Sequence, residues 1–339
     1  MRHRRQFLIC CCLCFGFLSG CATTRQSAER FEFVETHMGM PVRMVFYAAD
    51  ETQAEKAADA AYARIAELNQ IFSDYEETSE ISLLMRRAGS DNFVPVSGEL
   101  WEVLKRSQKI SRETEGAFDV TVGPLVQLWR RARRQRALPE HALLEEAKGR
   151  VGHEKIVLRE QDRSVCLKVP GMRLDFGAIA KGYALDEGLK QLKARKISRA
   201  LLNAGGDMAI GEPPPGQKGW RIELPSVIAG EQGRTNYLQL KNCGFATSGD
   251  SVQRLELDGK RYSHIVDPRT GVGLTDQSQV VVVAGDCVTA DSLSTAVSVL
   301  GPKNGLPLLN KYEAQGRIVH APAEKVREYS TTGFKRLVD

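Results

Sequence analysis

No apolar run in this 339-residue chain is long enough to cross a membrane. Its one sustained hydrophobic stretch, Phe7 to Leu18, falls short of the roughly 20 residues a helical span requires. An internal repeat, a low-complexity tract and an interdomain linker are also missing. The Pro-rich segment Glu212 to Gly219 is short, lies between strand-like segments and reads as a surface loop. Length alone would suggest two domains; without a linker, residues 31–339 read as one, with two lobes at most. There is no strong excess of charge of either sign. Loss of Arg2, Arg4 and Arg5 with a leader would bring the formal +5 to about +2, and so near-neutral a chain gives no case for nucleic acid. Cysteine is scarce where it would matter. Of eight, only Cys166, Cys243 and Cys287 follow Cys21, an odd number at no metal-ligand spacing. A disulfide framework or zinc site is therefore not expected, and the three read as small buried apolar residues. Neither a Walker A nor a GxGxxG motif occurs.

The N-terminus is informative. A basic start (Arg2, Arg4, Arg5), the short apolar stretch and Leu18-Ser19-Gly20 before Cys21 describe a secretory signal. A cysteine directly after Leu-Ser-Gly resembles the lipobox of bacterial lipoproteins. Residues 1–20 are then a signal peptide, Cys21 the lipidated first residue and residues 21–30 a polar tether. Such a protein is exported, lipid-anchored and faces the periplasm. Ala22 rather than Asp after the cysteine leans towards the outer membrane without deciding between inner and outer.

Along the mature chain, Ala54, Ala57, Ala58, Ala61, Ile65 and Leu68 share one face of a helix over 50–72. Thr52 and Glu55 suggest a capping box at its start. Further helices are expected at 97–115, ending at Gly116, at 139–148, from about Ala178, and at 289–300. Strands are expected at 155–159, 164–169, 172–175, 199–203, 220–224, 236–241, 253–257, 261–266, 279–284 and 317–320. Helices and strands alternate without a strict βαβ rhythm, which predicts an α+β fold. Five arginines within 130–136 read as a solvated helix face, or as a contact for phosphates or anionic lipid.

Four segments concentrate glycine turns, acids and hydroxyls. In Gly116 to Trp129, Asp119 sits at an expected helix-to-strand junction, as a cap or a site residue. In Asp175-Phe-Gly177-Ala178-Ile-Ala-Lys181-Gly182 an acid-tipped strand turns into a helix whose N-terminus suits phosphate; a nucleotide role and a plain strand–turn–helix are both open. Asn203-Ala-Gly205-Gly206-Asp207 admits close ligand approach or a tight turn. Thr247 to Asp250 leads to Tyr262 through Gly271, and Thr289 to Thr295 opens a helix. Asp291 and Thr295 stand i, i+4, a hard-oxygen pair of the kind Mg²⁺ takes, or a dipole-complementing acid with a hydroxyl bonded to its own helix. His264 is a general base or a core histidine.

Taken in order, these marks resemble the ApbE family, the FAD:protein FMN transferases: Phe72-Ser-Asp-Tyr75 with Ser79-Glu80-Ile-Ser, Gly116 to Trp129, Asp175 to Tyr183, Asn203 to Asp207, Ala246 to Asp250, Tyr262 to Gly271 and Ala290 to Thr295. The likeness runs from about Thr36 to His320. It implies a two-sheet, T-fold-related α+β architecture with flanking helices and FAD in a cleft. Met38, Tyr75, Ala117, Phe118, Asp119, Asp175, Lys181 and Ile265 would contact FAD, the substrate. The Ala178 carbonyl, Asp291 and Thr295 would hold Mg²⁺, and His264 would be the base. The activity implied is transfer of FMN to a Thr or Ser hydroxyl of an acceptor, such as a subunit of a membrane redox complex, with release of AMP. The alternatives are an FAD pyrophosphatase giving FMN and AMP, and a flavin-binding lipoprotein. Departures from the family pattern are Met40 for Thr, Met85 for Asn, Phe176 and Ala178 for Leu and Gly, and Gly273 for Pro.

Overall fold

A computed structural model describes residues 28–224, 236–249, 254–257, 259–321 and 326–338. The signal, the Cys21 lipidation site and most of the tether lie outside the described residues, as does Asp250. Glu29 and Arg30, expected in the tether, already belong to a strand.

One antiparallel sheet organises the chain. Its strands are β1 (Glu29–His37), β2 (Met40–Ala48), β3 (Ala200–Ala204), β4 (Asp207–Ile210), β5 (Cys243–Gly249), β6 (Gln277–Ala284), β7 (Gln315–Ala321) and β8 (Arg327–Ser330). Their spatial order is their chain order, and every neighbouring pair is antiparallel. The α+β expectation is met, because a parallel doubly wound sheet would need crossovers between like-directed strands. The remaining strands form a three-stranded sheet (Val94–Pro95, Ser164–Leu167, Ile156–Arg159) and two hairpins, Trp220–Glu223 with Tyr237–Leu240 and Arg254–Leu257 with Lys260–Ser263.

The large sheet is buried on both faces. In β6, Val280, Val282 and Ala284 join the principal core, while Val281 and Val283 join a second core on the opposite face. That alternation follows from the period of two along a strand. Helices α1 (Glu51–Phe72), α2 (Glu80–Met85), α3 (Gly98–Glu113), α6 (Ala180–Ala194) and α7 (Cys287–Lys311) supply the principal core. The Trp220–Leu240 hairpin and Phe334 cover the other face. A third cluster packs Leu125, Trp129 and Ala132 of α4 (Gly123–Gln135) and Ala147 of α5 (His141–Gly149) against Leu255, Tyr262 and Val266.

Several local expectations change. At α1 the cap is Asp50, whose carboxylate accepts the Gln53 N–H at 2.8 Å, so Thr52 lies inside the helix and the Thr52–Glu55 box does not form. Asp119 leads not into a strand but into a 3-10 turn, Val120–Val122, and then α4. Its carboxylate takes the Thr121 N–H and hydroxyl, and Pro124 suits a first helical turn where no N–H is needed. Residues 172–175 form no strand. Their N–H groups go elsewhere, Leu174 to the Met85 sulfur at 2.9 Å and Asp175 to the Val120 carbonyl at 2.8 Å. Helix α7 runs beyond the expected Leu300, kinked at Gly301, where φ is 68°.

Candidate active site

A cavity of about 920 Å³ opens beside the large sheet, within the range of small-molecule sites. Met40 of β2, the Gly205 turn, Asp207 of β4 and Thr247 to Gly249 of β5 form one wall. The start of α7, the Asp175–Ala178 turn, the His264–Val266 segment and one face of α4 complete it. Tyr75, Ala117, Phe118, Asp119, Asp175, Ala178, Lys181, His264, Ile265, Asp291 and Thr295 are all brought to this one space. Met38 is not among the lining residues. It takes the tight β1–β2 turn with φ 52°, and Met40 lines the cavity instead.

The strongest electrostatic feature is a lysine between two acids. Lys181 Nζ donates to Asp207 Oδ2 and, at 3.0 Å, to Asp291 Oδ1. Both carboxylates are buried, Asp291 at 2 % exposure. Burial alone would push Lys181 down, but the charges of Asp207 and Asp291 outweigh it and hold the ammonium above its usual range. Burial pushes the Asp207 carboxyl up against the pull of Lys181, and the charge of Asp291 adds to the rise. The second oxygen of Asp291 accepts the Gly182 N–H at 3.0 Å. The N-terminus of α6, for which the sequence left a phosphate site and a plain strand–turn–helix both open, thus has part of its anion-binding capacity taken by an acid of the chain itself.

Thr295 does not bond back to its own helix. Its hydroxyl stands 3.3 Å from Ser248 Oγ, which also meets Ser294 Oγ at 2.7 Å. Ser292, Ser294 and Ser298 are the α7 hydroxyls that bond back. Asp291 and Thr295 therefore both face the cavity. Among the described residues no group of three or more His, Cys, Asp or Glu is placed to hold a metal. A magnesium site here would rest on one carboxylate, one hydroxyl and the Ala178 carbonyl, with water and phosphate oxygens completing the octahedron. The residues fit that ion: the donors are hard oxygens, and Asp291 already holds one cation, Lys181.

Asp175 Oδ1 accepts the Gly177 N–H at 2.8 Å, fixing the turn, and its Oδ2 accepts from Arg130 at 3.0 Å. Arg130 also donates to Asp74 at 2.7 Å and lies over the Tyr75 ring. Burial and then the charge of Asp74 push the Asp175 carboxyl up, against Arg130. Asp119 is both a cap and a wall residue. His264 is half-buried and lines the cavity, so it is not a core histidine. Asp186 of α6 caps the neighbouring helix, accepting from Cys287 N at 3.0 Å and Val288 N at 2.9 Å at the start of α7.

Asp207, Ser248 and Met40 were not among the candidate site residues, and the arginines of α4 entered only as an alternative contact for phosphates or anionic lipid. Asp207 carried a signal, an acid directly after two glycines at a strand end. The arginines carried one too, since Arg130, Arg133 and Arg134 share a helix face with Val122 and Val126.

The ApbE family model matches residues 38–318. The FAD:protein FMN transferase of Klebsiella pneumoniae (strain 342) is 30 % identical over 278 residues, covering 81 % of this chain and 84 % of that protein. Its Haemophilus influenzae counterpart of the same name is 29 % identical over 293 residues, covering 84 % of each. Among solved structures, the flavin transferase ApbE from Vibrio cholerae superposes with a TM-score of 0.83 at 26 % identity, over 91 % of this chain and 99 % of that one. The apo flavinyl transferase ApbE of Pseudomonas stutzeri gives 0.80 at 27 %, over 92 % and 97 %.

Proposed function

The chain belongs to the ApbE family, and from that membership we propose that it is an FAD:protein FMN transferase acting on a Thr or Ser hydroxyl of an acceptor protein and releasing AMP. The observation that carries the reading is the convergence, in one cavity, of a cation-holding acid, a lysine, clustered hydroxyls and a histidine from four separate elements.

In this reading the acceptor oxygen attacks the phosphorus on the FMN side of the FAD diphosphate. A new P–O bond forms to the acceptor, the anhydride P–O bond breaks, and AMP leaves with the bridging oxygen. His264 takes the proton of the attacking hydroxyl, directly or through one water. Lys181 stays charged through its two acids and faces the diphosphate. Asp175, fixed by Gly177 and Arg130, holds the turn that carries Ala178, and Asp119, Phe118 and Ile265 line the nucleotide. Asp291, Thr295 and the Ala178 carbonyl would hold Mg²⁺, which when bound neutralises phosphate charge. Phosphoryl transfer depends mostly on position and charge, so this small set of groups suffices.

We read residues 31–339 as one catalytic unit, supported by a principal core running from Val42 to Ile318. Export and lipid anchoring at Cys21 remain part of the proposal and rest on the N-terminal sequence. The test incubates the full-length protein with FAD and a membrane redox-complex subunit, with Mg²⁺ or with EDTA. Flavin fluorescence retained on the denatured subunit in Mg²⁺ alone is the expected result. AMP release with no labelled acceptor among the subunits tried would instead assign the chain as an FAD pyrophosphatase.

A further inference from the structure

Asp119 is a wall residue of the cavity, yet its carboxylate is held by a segment that does not line it. Oδ1 accepts the Thr121 N–H at 2.8 Å and the Thr121 hydroxyl at 2.7 Å. The same hydroxyl oxygen accepts the Gly152 N–H at 2.7 Å. Oδ2 stands 3.8 Å from Nδ1 of His153, the first residue of the 3-10 turn His153–Lys155. That turn is fixed from α3, where the buried Gln108 donates to the His153 carbonyl at 2.7 Å. The other end of the Gln108 amide accepts from Arg112 at 3.5 Å. Among the described residues, His153 is the one basic side chain within ion-pair reach of Asp119. His153 itself does not line the cavity.

We propose that His153 is a positioning residue for FAD binding: it holds the Asp119 carboxylate from outside the cavity and balances its charge, so that FAD binds more tightly while the imidazole is protonated. The proposal rests on the nucleotide reading of the cavity above. Oδ1 is committed to Thr121, so Oδ2 is the oxygen with capacity left for a hydroxyl or ring N–H of the nucleotide. The Asp119 side chain is only 2 % exposed, so water screens its charge poorly and a nearby diphosphate is repelled unless a cation stands by. Histidine is the side chain whose charge changes near neutral pH. Three charged groups face the ring. The Asp119 carboxylate holds the imidazole above its usual range against burial; Glu154 of the same turn, 3.8 Å from Nδ1, adds to the rise, and Arg112 of α3 opposes it. As pH rises and that proton leaves, Asp119 stays charged without its counter-ion, and the nucleotide meets an unbalanced acid. An ion pair that only braced the turn would leave ligand affinity untouched.

The test measures FAD affinity of the full-length protein by flavin fluorescence quenching between about pH 6 and about pH 9, in EDTA to suppress turnover. The dissociation constant should rise about fivefold across that window, with its midpoint above the ordinary 6.5 of a histidine. His153→Gln should bind with the weaker affinity at every pH and show no midpoint. His153→Lys, which keeps the charge, should hold the tighter affinity throughout. In NMR spectra, the ring resonance that disappears in His153→Gln should titrate at higher pH with FAD bound than without it, because the coupling between proton and ligand is reciprocal. A pH profile that His153→Gln leaves unchanged overturns the proposal. So does a His153→Gln protein whose unfolding midpoint falls while its FAD affinity matches the parent at both ends of the window, since the histidine would then only brace the turn. Absence of quenching by the unaltered protein at any pH would instead strike the nucleotide reading.

Discussion

Lys181 Nζ stands 3.0 Å from Asp291 Oδ1, while the other oxygen of Asp291 accepts the backbone N–H of Gly182 at 3.0 Å. One carboxylate thus binds the side chain of one residue and the main chain of the next, joining the first turns of α6 and α7. Asp207 completes the cluster from β4.

Removing the ammonium should leave two buried acids facing each other. Lys181→Met is expected to destabilise the protein in EDTA by about 3–5 kcal/mol, the usual cost of orphaning a buried charge. Mg²⁺ should then raise the thermal midpoint of the variant more than that of the parent. Equal Mg²⁺ shifts in the two proteins would show that the cation does not reach these acids.

Asp291→Ala should abolish Mg²⁺-dependent turnover of FAD, measured as AMP release across a Mg²⁺ titration. Retained, Mg²⁺-responsive activity would mean that the ion is held elsewhere.

His264→Ala separates chemistry from packing. As a general base, His264 should contribute about 10²–10⁴-fold to turnover, with FAD affinity by flavin quenching little changed. A parallel loss of FAD affinity would make it a binding residue.

Gly182 marks where α6 and α7 touch. A Cβ there would stand 2.7 Å from Val288 Cα, a backbone contact that cannot rotate away. Gly182→Ala should cost about 1–3 kcal/mol by denaturant unfolding and weaken the response to Mg²⁺, because the same contact sets Asp291. An unaltered unfolding midpoint would show that the helices separate freely.

Burial is the main cause that pushes Asp186 from its ordinary 3.8 to about 6, against its two backbone N–H bonds. The folded state binds this proton more tightly than the unfolded chain does. Its stabilising contribution is therefore full below about pH 4 and lost as pH rises through about 6. Relative to Asp186→Asn, the parent should gain stability between about pH 7.5 and about pH 4, by an amount on the order of 2–3 kcal/mol. A difference that is flat or opposite in sign across that window would contradict the burial argument.

Much of the fold was legible because its helices bury regular stripes: Ala54 to Leu68 placed α1 to within a residue. The edge strand β1 and its inner neighbour β2 were not read, although Phe31 and Phe33 alternate with acids; β1, half-exposed beside a polar tether, has weak apolar contrast. The segment ending at Asp175 misled by its alternation, since Met172 and Leu174 are buried without any ladder to pair with. In the site, Asp291, Thr295, Asp175 and Lys181 stood out locally, whereas their connections did not. Lys181 reaches Asp207 and Asp291 across 26 and 110 residues, distances over which only the folded sheet speaks.

The most direct test of the central claim is the ratio of AMP released to flavin covalently bound on an acceptor, followed over time in Mg²⁺ with the full-length protein. Transfer predicts that the two rise together, one AMP for each flavin found on a Thr or Ser by peptide mass mapping, and that both stop with Asp291→Ala. AMP accumulating with free FMN while the acceptor stays unmodified would contradict it.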